Sequence, residues 1–329
     1  MRRLVGILAI TTVGLTGCFG VEAQDEAAEQ AVEPARPADA PPTTGRPAGD
    51  VVDLPGDVDA LVADPDSRTL AALVEDQLLV LELDDPGRTP HELDLPGRGA
   101  GVSLAAPGGP LLVAVPDVEL LVEVDPATLD IQERATPLPA TSATRFDSTT
   151  GLAHAEEGVV TLDHGDETVR VEGFHRPVEV IAAEGRVFVL DVAESAVVRL
   201  DEQEREKGLG LRAGEGATKA VTDRYGRILV TETRSGELLA FSAEPFLLRQ
   251  RYPVPGSPYG IAYDEDRDLA WVTLTETNEL VGYDMLGGEP VEVHRFPTVR
   301  QPNEVAVDPS TGAVFVGSAA GEGIQVVRP

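Results

Sequence analysis

Residues 257–284 read SPYGIAYDEDRDLAWVTLTETNELVGYD and contain three short apolar runs separated by polar turns. The first run ends at Asp264, the second is Ala270–Leu274, and the third ends at Tyr283-Asp284. Short runs that are rich in β-branched and aromatic residues and bounded by polar turns are typical of β-strands. This stretch therefore predicts three successive strands, and a fourth follows it up to Phe296-Pro297.

The same pattern recurs about every 40 residues along the chain. Six strands end in an apolar residue followed by Asp or Ser: Leu83-Asp84, Val124-Asp125, Leu162-Asp163, Leu200-Asp201, Phe241-Ser242 and Tyr283-Asp284. A second marker, an apolar residue followed by Pro, closes a strand just before the next repeat begins: Leu95-Pro96, Leu138-Pro139, Val254-Pro255 and Phe296-Pro297. Four strands in about 40 residues are the size of one β-propeller blade.

Seven such repeats begin near residues 57, 98, 140, 176, 216, 257 and 301. The last repeat has room for only three strands, whereas a strand-like run, Val51–Leu54, precedes the first repeat. We expect Val51–Leu54 to pair with Ile324–Val327, because a completed blade leaves no exposed edge in the ring. The sequence thus predicts an all-β fold, a seven-bladed β-propeller of four-stranded blades over residues 50–329, closed by an N-terminal strand that completes the last blade. A pair of β-sandwiches is the alternative, which the steady period disfavours.

The N-terminal residues have the layout of a secretion signal. Met1-Arg2-Arg3 is positively charged, and Leu4–Leu15 is an uncharged apolar run, too short for the roughly 20 residues of a membrane-spanning helix. Leu15-Thr16-Gly17-Cys18 follows and resembles the lipobox of bacterial lipoproteins. The resemblance implies that residues 1–17 are a signal peptide and that Cys18 is lipidated and becomes the mature N-terminus. An ordinary signal peptide with an incidental cysteine is the alternative, and with only one cysteine no intrachain disulfide can form.

Residues 18–49 are rich in Ala, Glu and Pro and hold almost no large apolar side chain. Such a segment buries too little apolar surface to offset the entropy cost of ordering it. We therefore expect a disordered acidic linker between Cys18 and the propeller. The protein is predicted to be a monomer, anchored by lipid to the cell membrane on the extracytoplasmic side, in the cell envelope.

The chain carries 26 Lys and Arg residues against 57 Asp and Glu residues, a formal net charge of −31 at pH 7. A surface of this charge repels phosphate groups, and the sequence contains no basic stripe, so nucleic acid is excluded as a partner. The expected partners are membrane lipid, through Cys18, and an envelope protein or a small ligand.

Two blades resemble a known repeat family. Residues 257–284 and the start of the next repeat, Gln301–Pro309, are similar to repeats of the YVTN/NHL-like β-propellers. The other five blades match only in strand rhythm and turn placement. The resemblance implies the propeller fold and says little about activity, because this architecture serves binding, scaffolding, lactone hydrolysis and redox chemistry alike.

Aligning the seven repeat openings places a set of polar residues at one mouth of the expected central channel. The set is Asp59, Arg98, Arg176, Lys219, Tyr259, Asn303 and Glu304. Three of its members are cations in a chain that has few, which suits an anionic or sugar-like ligand. The alternative is an ordinary hydrated channel rim.

The sequence contains no recognisable catalytic or metal centre. Asp264, Asp266 and Asp268 mimic a calcium loop but lack its glycine and its closing Glu, which predicts a hairpin tip. The sequence therefore predicts non-catalytic binding or scaffolding, with no cofactor, no catalytic residue and no metal ligand. A lactonase-like, metal-dependent hydrolase that uses the channel mouth is the alternative. Its resemblance is poor, because such propellers draw carboxylate and amide ligands from several blades and this chain has only two asparagines.

Overall fold

The computed structural model describes residues 31–43, 45–202 and 205–329. Over these ranges the chain forms 28 β-strands, β1 to β28 in chain order, and a single-turn 3-10 helix at Pro116–Val118. No helix in this part of the chain is long and apolar enough to cross a membrane. The predicted signal peptide at residues 1–17 and the predicted lipidation site, Cys18, lie outside the described residues.

The strands form seven four-stranded antiparallel sheets, the blades, which surround a central channel. The innermost strands of blades 1 to 7 are β2 (Val58–Asp64), β6 (Gly101–Leu104), β10 (Ser142–Phe146), β14 (Pro177–Ala183), β18 (Ala217–Thr222), β22 (Pro258–Asp264) and β26 (Pro302–Asp308). The second strands are β3 (Thr69–Val74), β7 (Leu111–Val115), β11 (Thr149–His154), β15 (Arg186–Asp191), β19 (Arg227–Glu232), β23 (Leu269–Leu274) and β27 (Ala313–Ser318).

The two outer strands of each blade complete the sheets. The third strands are β4 (Gln77–Glu82), β8 (Leu120–Val124), β12 (Val159–Asp163), β16 (Ala196–Asp201), β20 (Glu237–Ser242), β24 (Glu279–Asp284) and β28 (Ile324–Val327). The outermost strands are β5 (His91–Asp94), β9 (Ile131–Ala135), β13 (Thr168–Glu172), β17 (Glu206–Arg212), β21 (Leu247–Pro253), β25 (Val291–Pro297) and, in blade 7, β1 (Asp50–Val52). The face at which the innermost strands begin is called the top face below.

The ring closes as the sequence predicts. Strand β1 pairs with β28, with Asp50 opposite Val326 and Val52 opposite Ile324, so that blade 7 has the order β1-β28-β27-β26. The innermost strands of blades 1 and 7, β2 and β26, contact each other and complete the circle. The predicted seven-bladed propeller and its closing N-terminal strand are therefore confirmed.

The hydrophobic core is divided into seven clusters of buried residues, each between two neighbouring blades. Strand β3 shows how one strand serves two clusters. Its side chains point alternately to opposite faces of the sheet, so that Leu70, Ala72 and Val74 face blade 7 while Ala71 and Leu73 face blade 2. Because both faces are covered, the second strands read as continuous apolar runs rather than as alternating ones.

Residues 31–43, here called the strap, cross the top face from blade 4 to blade 7. The Val32 N–H donates to the carbonyl of Ala193 in blade 4 at 2.7 Å, and the Thr43 hydroxyl donates to Glu322 in blade 7 at 3.3 Å. The disordered linker predicted over residues 18–49 therefore does not extend to the strap, because side chains of the propeller bind its main chain. The first part of that linker, residues 18–30, lies outside the described residues.

Candidate functional site

Three of the predicted mouth residues, Asp59, Tyr259 and Asn303, lie at irregularities in the innermost strands. In five blades the register shifts by a β-bulge at the top of the innermost strand. The residues in these bulges are Asp59, Val178, Thr218, Tyr259 and Asn303. A bulge re-aims the side chains around it and is common beside functional sites.

The residue that follows the bulge position differs between the two sides of the channel. In blades 1 to 3 it is small: Ala60, Gly101 and Ala143. In blades 4, 5 and 7 it is charged: Glu179, Lys219 and Glu304. We call the first set the small wall, and the three charged residues together with Tyr259 of blade 6 the charged wall. Both walls line one cavity of about 920 Å³.

Lys219 of blade 5 and Glu304 of blade 7 form an ion pair, although blade 6 lies between these two blades in the ring. The Lys219 Nζ lies 2.5 and 2.6 Å from the two carboxylate oxygens of Glu304, and 5.5 Å from the centre of the Tyr259 ring. Blade 6 has Gly260 at the equivalent position, where a Cβ atom would lie 2.8 Å from the Asn303 carbonyl oxygen. Only glycine fits this close approach of blades 6 and 7.

Burial and neighbouring charges act against each other in this pair. Burial opposes the charge of Lys219, but Glu304, Tyr259 and Glu179 outweigh it and hold the Lys219 pKa above its usual value. Burial raises the pKa of Glu304, and Lys219 offsets only part of that rise. The ammonium therefore keeps its proton over the whole neutral range.

Glu179 is the second carboxylate of the charged wall. Its Oε2 accepts the Ala220 N–H at 3.0 Å. Burial raises its pKa from 4.5 to about 7, while Lys219 and the Ala220 amide lower it less than burial raises it. The sequence alignment placed Glu179 in the ring after the bulge, but the predicted site omitted it. Its position beside Lys219 in the aligned ring was the signal that could have included it.

The other predicted cations are already paired. Arg98 lies 2.6 Å from Asp59, and the Arg176 guanidinium lies 2.5 Å from Glu156. With Lys219 bound to Glu304, each of the three predicted cations has a carboxylate partner among the described residues. This pairing disfavours an anionic ligand. Two of the partners, Asp59 and Glu304, belong to the predicted mouth set, and the third, Glu156, lies outside it.

Two mouth residues retain unused hydrogen-bonding groups. Asn303 accepts a hydrogen bond from Gln301 at 3.0 Å through its Oδ1. Among the described residues, no hydrogen bond is made by the Asn303 amide nitrogen or by the Tyr259 hydroxyl. Burial raises the pKa of Tyr259, and the carboxylates of Glu304 and Glu179 raise it further, while Lys219 lowers it by less. The Tyr259 hydroxyl therefore stays protonated and can donate a hydrogen bond.

The structure does not favour the metal-dependent alternative. Within the described ranges, one group of three side chains, His175, Asp191 and Glu194 of blade 4, is close enough to share a cation. Its oxygens are already engaged, since Asp191 accepts four backbone N–H groups and Glu194 binds Lys207 and His175. These bonds fix the blade 4 loops, which is a structural role.

The acidic run at the β22–β23 turn is a hairpin tip, as the sequence predicts. Asp264 is fully buried and accepts the N–H groups of Asp266 and Arg267 at 3.1 Å each. Asp64 accepts N–H groups in the same way at the equivalent turn of blade 1. The recurrence of this bond in two blades indicates a turn cap rather than a calcium ligand.

Comparison with known proteins supports the fold. No protein-family model and no curated protein sequence matches the chain, so the YVTN/NHL resemblance of two blades remains a prediction. Similar solved structures include hydrazine synthase of Kuenenia stuttgartiensis, with 14% identity, a TM-score of 0.70, and coverage of 87% of this chain and 99% of the other.

Two further structures are similar over most of their length. A streptogramin B lyase has 10% identity and a TM-score of 0.70, with 84% of this chain and 96% of the lyase covered. The Cps50 (Swd1) β-propeller domain of Myceliophteria thermophila has 13% identity and a TM-score of 0.69, with 85% and 99% covered. At these identities the likeness concerns the fold alone. The chain is a seven-bladed β-propeller.

Proposed function

We propose that the chain is a lipid-anchored, extracytoplasmic β-propeller of the cell envelope that binds a small polar ligand at the charged wall without catalysis. The observation that carries this proposal is the Lys219–Glu304 pair in the channel wall, with Glu179 and Tyr259 beside it. Burying charged groups costs free energy unless they are paired, and such groups concentrate at functional sites.

The chemistry of the wall favours a ligand that is neutral or positively charged. Glu179 and Glu304 both flank one ammonium, Lys219, so that no net positive charge is left on the wall to attract an anion. The Tyr259 ring offers a stacking surface, and its hydroxyl and the Asn303 amide offer donors. A sugar-like or amine ligand matches these groups, and the cavity of about 920 Å³ has the size of small-molecule sites.

The lipid anchor and the envelope location rest on the N-terminal sequence. The order of charged start, apolar run and Leu15-Thr16-Gly17-Cys18 supports processing before Cys18. Incorporation of a labelled fatty acid in the native host tests this part. We expect label in the wild-type protein and none in Cys18→Ala, and label in both would contradict it.

The ligand site is tested by thermal unfolding of the protein in the presence of three compound sets, namely neutral sugars, amines, and small carboxylates and phosphates. We expect sugars or amines to raise the Tm of the wild type. The same compounds should have little effect on the double variant Tyr259→Phe, Asn303→Ala. A control, Tyr252→Phe, changes a tyrosine of outermost strand β21 and should respond like the wild type.

Two results would contradict the ligand site. One is a Tm increase with anions only, because the wall has no unpaired predicted cation to hold them. The other is an equal response of the wild type and the double variant, which would place binding elsewhere.

A further inference from the structure

We propose that the top face of blades 5 to 7 contains a peptide-binding site for an extended, proline-rich segment, and that the strap occupies this site in cis. The site adjoins the proposed ligand site, since Gln301 also donates to Asn303, but it does not depend on the proposed ligand. It rests on how the propeller side chains contact the strap.

The centre of the site is Gln301, at the start of blade 7. Its amide nitrogen donates to the Ala38 carbonyl at 3.0 Å, and its amide oxygen accepts the Ala40 N–H at 2.9 Å. A neighbouring strand would bond the main chain of a peptide in the same paired way. Ser257 and Thr275 of blade 6 accept the Ala38 N–H at 3.2 and 3.0 Å.

Asn278 forms a second, buried anchor. Only 6% of its surface is exposed. Its amide nitrogen donates to the Pro41 carbonyl at 2.8 Å, while its amide oxygen accepts the Gln301 N–H at 3.0 Å and so holds the two anchors together. In blade 5, Arg234 donates to the Glu33 carbonyl at 2.6 Å.

All these bonds go to main-chain atoms of the strap. The side chains of Glu33, Arg36 and Asp39 are exposed to solvent. Proline has no N–H. The N–H of Ala38, bound by Ser257 and Thr275, and the N–H of Ala40, bound by Gln301, lie between Pro37 and Pro41. The site therefore binds an extended main chain that has N–H donors at two positions and proline around them.

The strap is suited to exchange with another peptide. It carries no large apolar side chain beyond Val32, so that it buries little apolar surface and leaves at low cost. Because the strap is covalently attached, its effective concentration at the site is on the order of millimolar, and a free peptide competes poorly with it.

The test uses a full-length variant whose strap is replaced by one carrying Ala38→Pro and Ala40→Pro, which lacks both N–H donors, and a fluorescent synthetic peptide of residues 31–43, AVEPARPADAPPT. We expect saturable binding to this variant and at least about tenfold weaker binding to the wild type. Adding Gln301→Ala to the variant should weaken binding about tenfold, because two hydrogen bonds are lost. Gln250→Ala, on the outermost strand of blade 5, is the control and should change nothing.

A peptide methylated on the nitrogens of Ala38 and Ala40 separates main-chain recognition from other causes. It keeps every side chain and loses both donors, so we expect it not to bind. Absence of saturable binding of the unmodified peptide, or equal binding of the methylated one, overturns the proposal. If the strap-replaced variant fails to fold, backbone amide hydrogen exchange is measured instead on full-length Gln301→Ala and on the wild type. Faster exchange at Ala38 and Ala40 supports the site, and unchanged exchange contradicts it.

Discussion

The small wall of blades 1 to 3 and the charged wall of blades 4 to 7 line the same channel and differ in the size and charge of their side chains. Ala60, Gly101 and Ala143 show that blades 1 to 3 close and pack with nothing larger than a methyl group after the bulge position. The fold therefore does not require charge there. The charges on blades 4, 5 and 7 carry a cost in buried charge that the small side chains avoid, which is the basis for the binding role proposed for them.

Removing the cation of the charged wall should have the largest effect on stability. Lys219→Met leaves Glu304, which is 9% exposed, without its partner. We expect a loss of about 2–4 kcal/mol in the free energy of unfolding, toward the lower end because the channel still admits some water. Urea unfolding at pH 7 measures it.

A double variant and a control test whether that loss in stability comes from leaving a buried charge unpaired. Lys219→Met combined with Glu304→Gln leaves no unpaired charge and should recover most of the loss. Arg88→Met breaks an exposed ion pair with Glu82 on blade 1 and should cost less than about 1 kcal/mol. If Lys219→Met lowers the free energy of unfolding no more than Arg88→Met does, the Lys219–Glu304 pair behaves like an exposed surface pair. The charged wall would then carry no cost of buried charge, and the comparison of the two walls would fail.

The second prediction concerns the pH dependence of Glu179. Its pKa is raised in the folded state from 4.5 to about 7. The folded state therefore favours the protonated form, and stability falls as pH rises from about 4.5 to about 7. Glu179→Gln should be more stable than the wild type at pH 8, by about 1–3 kcal/mol, and equal to it at pH 4. A stability difference that does not change with pH would contradict this.

The third and smallest effect has the opposite sign and belongs to blade 3, on the side of the small wall. His154 is fully buried between the Pro139 carbonyl and the Thr161 hydroxyl, and burial lowers its pKa below 6.5. The folded state favours the neutral ring, so stability is lost as pH falls below 6.5. Between pH 7 and 5, the free energy of unfolding, measured with urea, should fall less for His154→Gln than for the wild type. An equal fall in both proteins would mean that other groups cause the acid sensitivity.

The repeat made the fold predictable. Because equivalent turns recur along the chain, the strand order, the seven blades and the pairing of Val51 and Val52 with blade 7 followed from turn spacing alone. The same alignment placed Lys219, Tyr259 and Glu304 at one mouth, and the structure brings these three into contact.

The charge balance of the site could not be predicted in the same way. Glu156, the partner of Arg176, lies in a loop of blade 3 outside the aligned ring, so that the alignment counted a cation that is in fact neutralised. The strap was missed for a related reason. Its composition indicates disorder, and the groups that bind it, Gln301 and Asn278, are more than 200 residues away in the chain.

The most direct test of the charged wall is the pKa of Glu179 itself, measured by carbon-13 NMR of the side-chain carboxyl group, with Glu179→Gln to assign the signal. Desolvation of the half-buried Glu179 carboxyl group should make it titrate near 7. A midpoint close to the ordinary glutamate value of 4.5 would mean that the group is fully hydrated and that this mouth is a plain solvated rim.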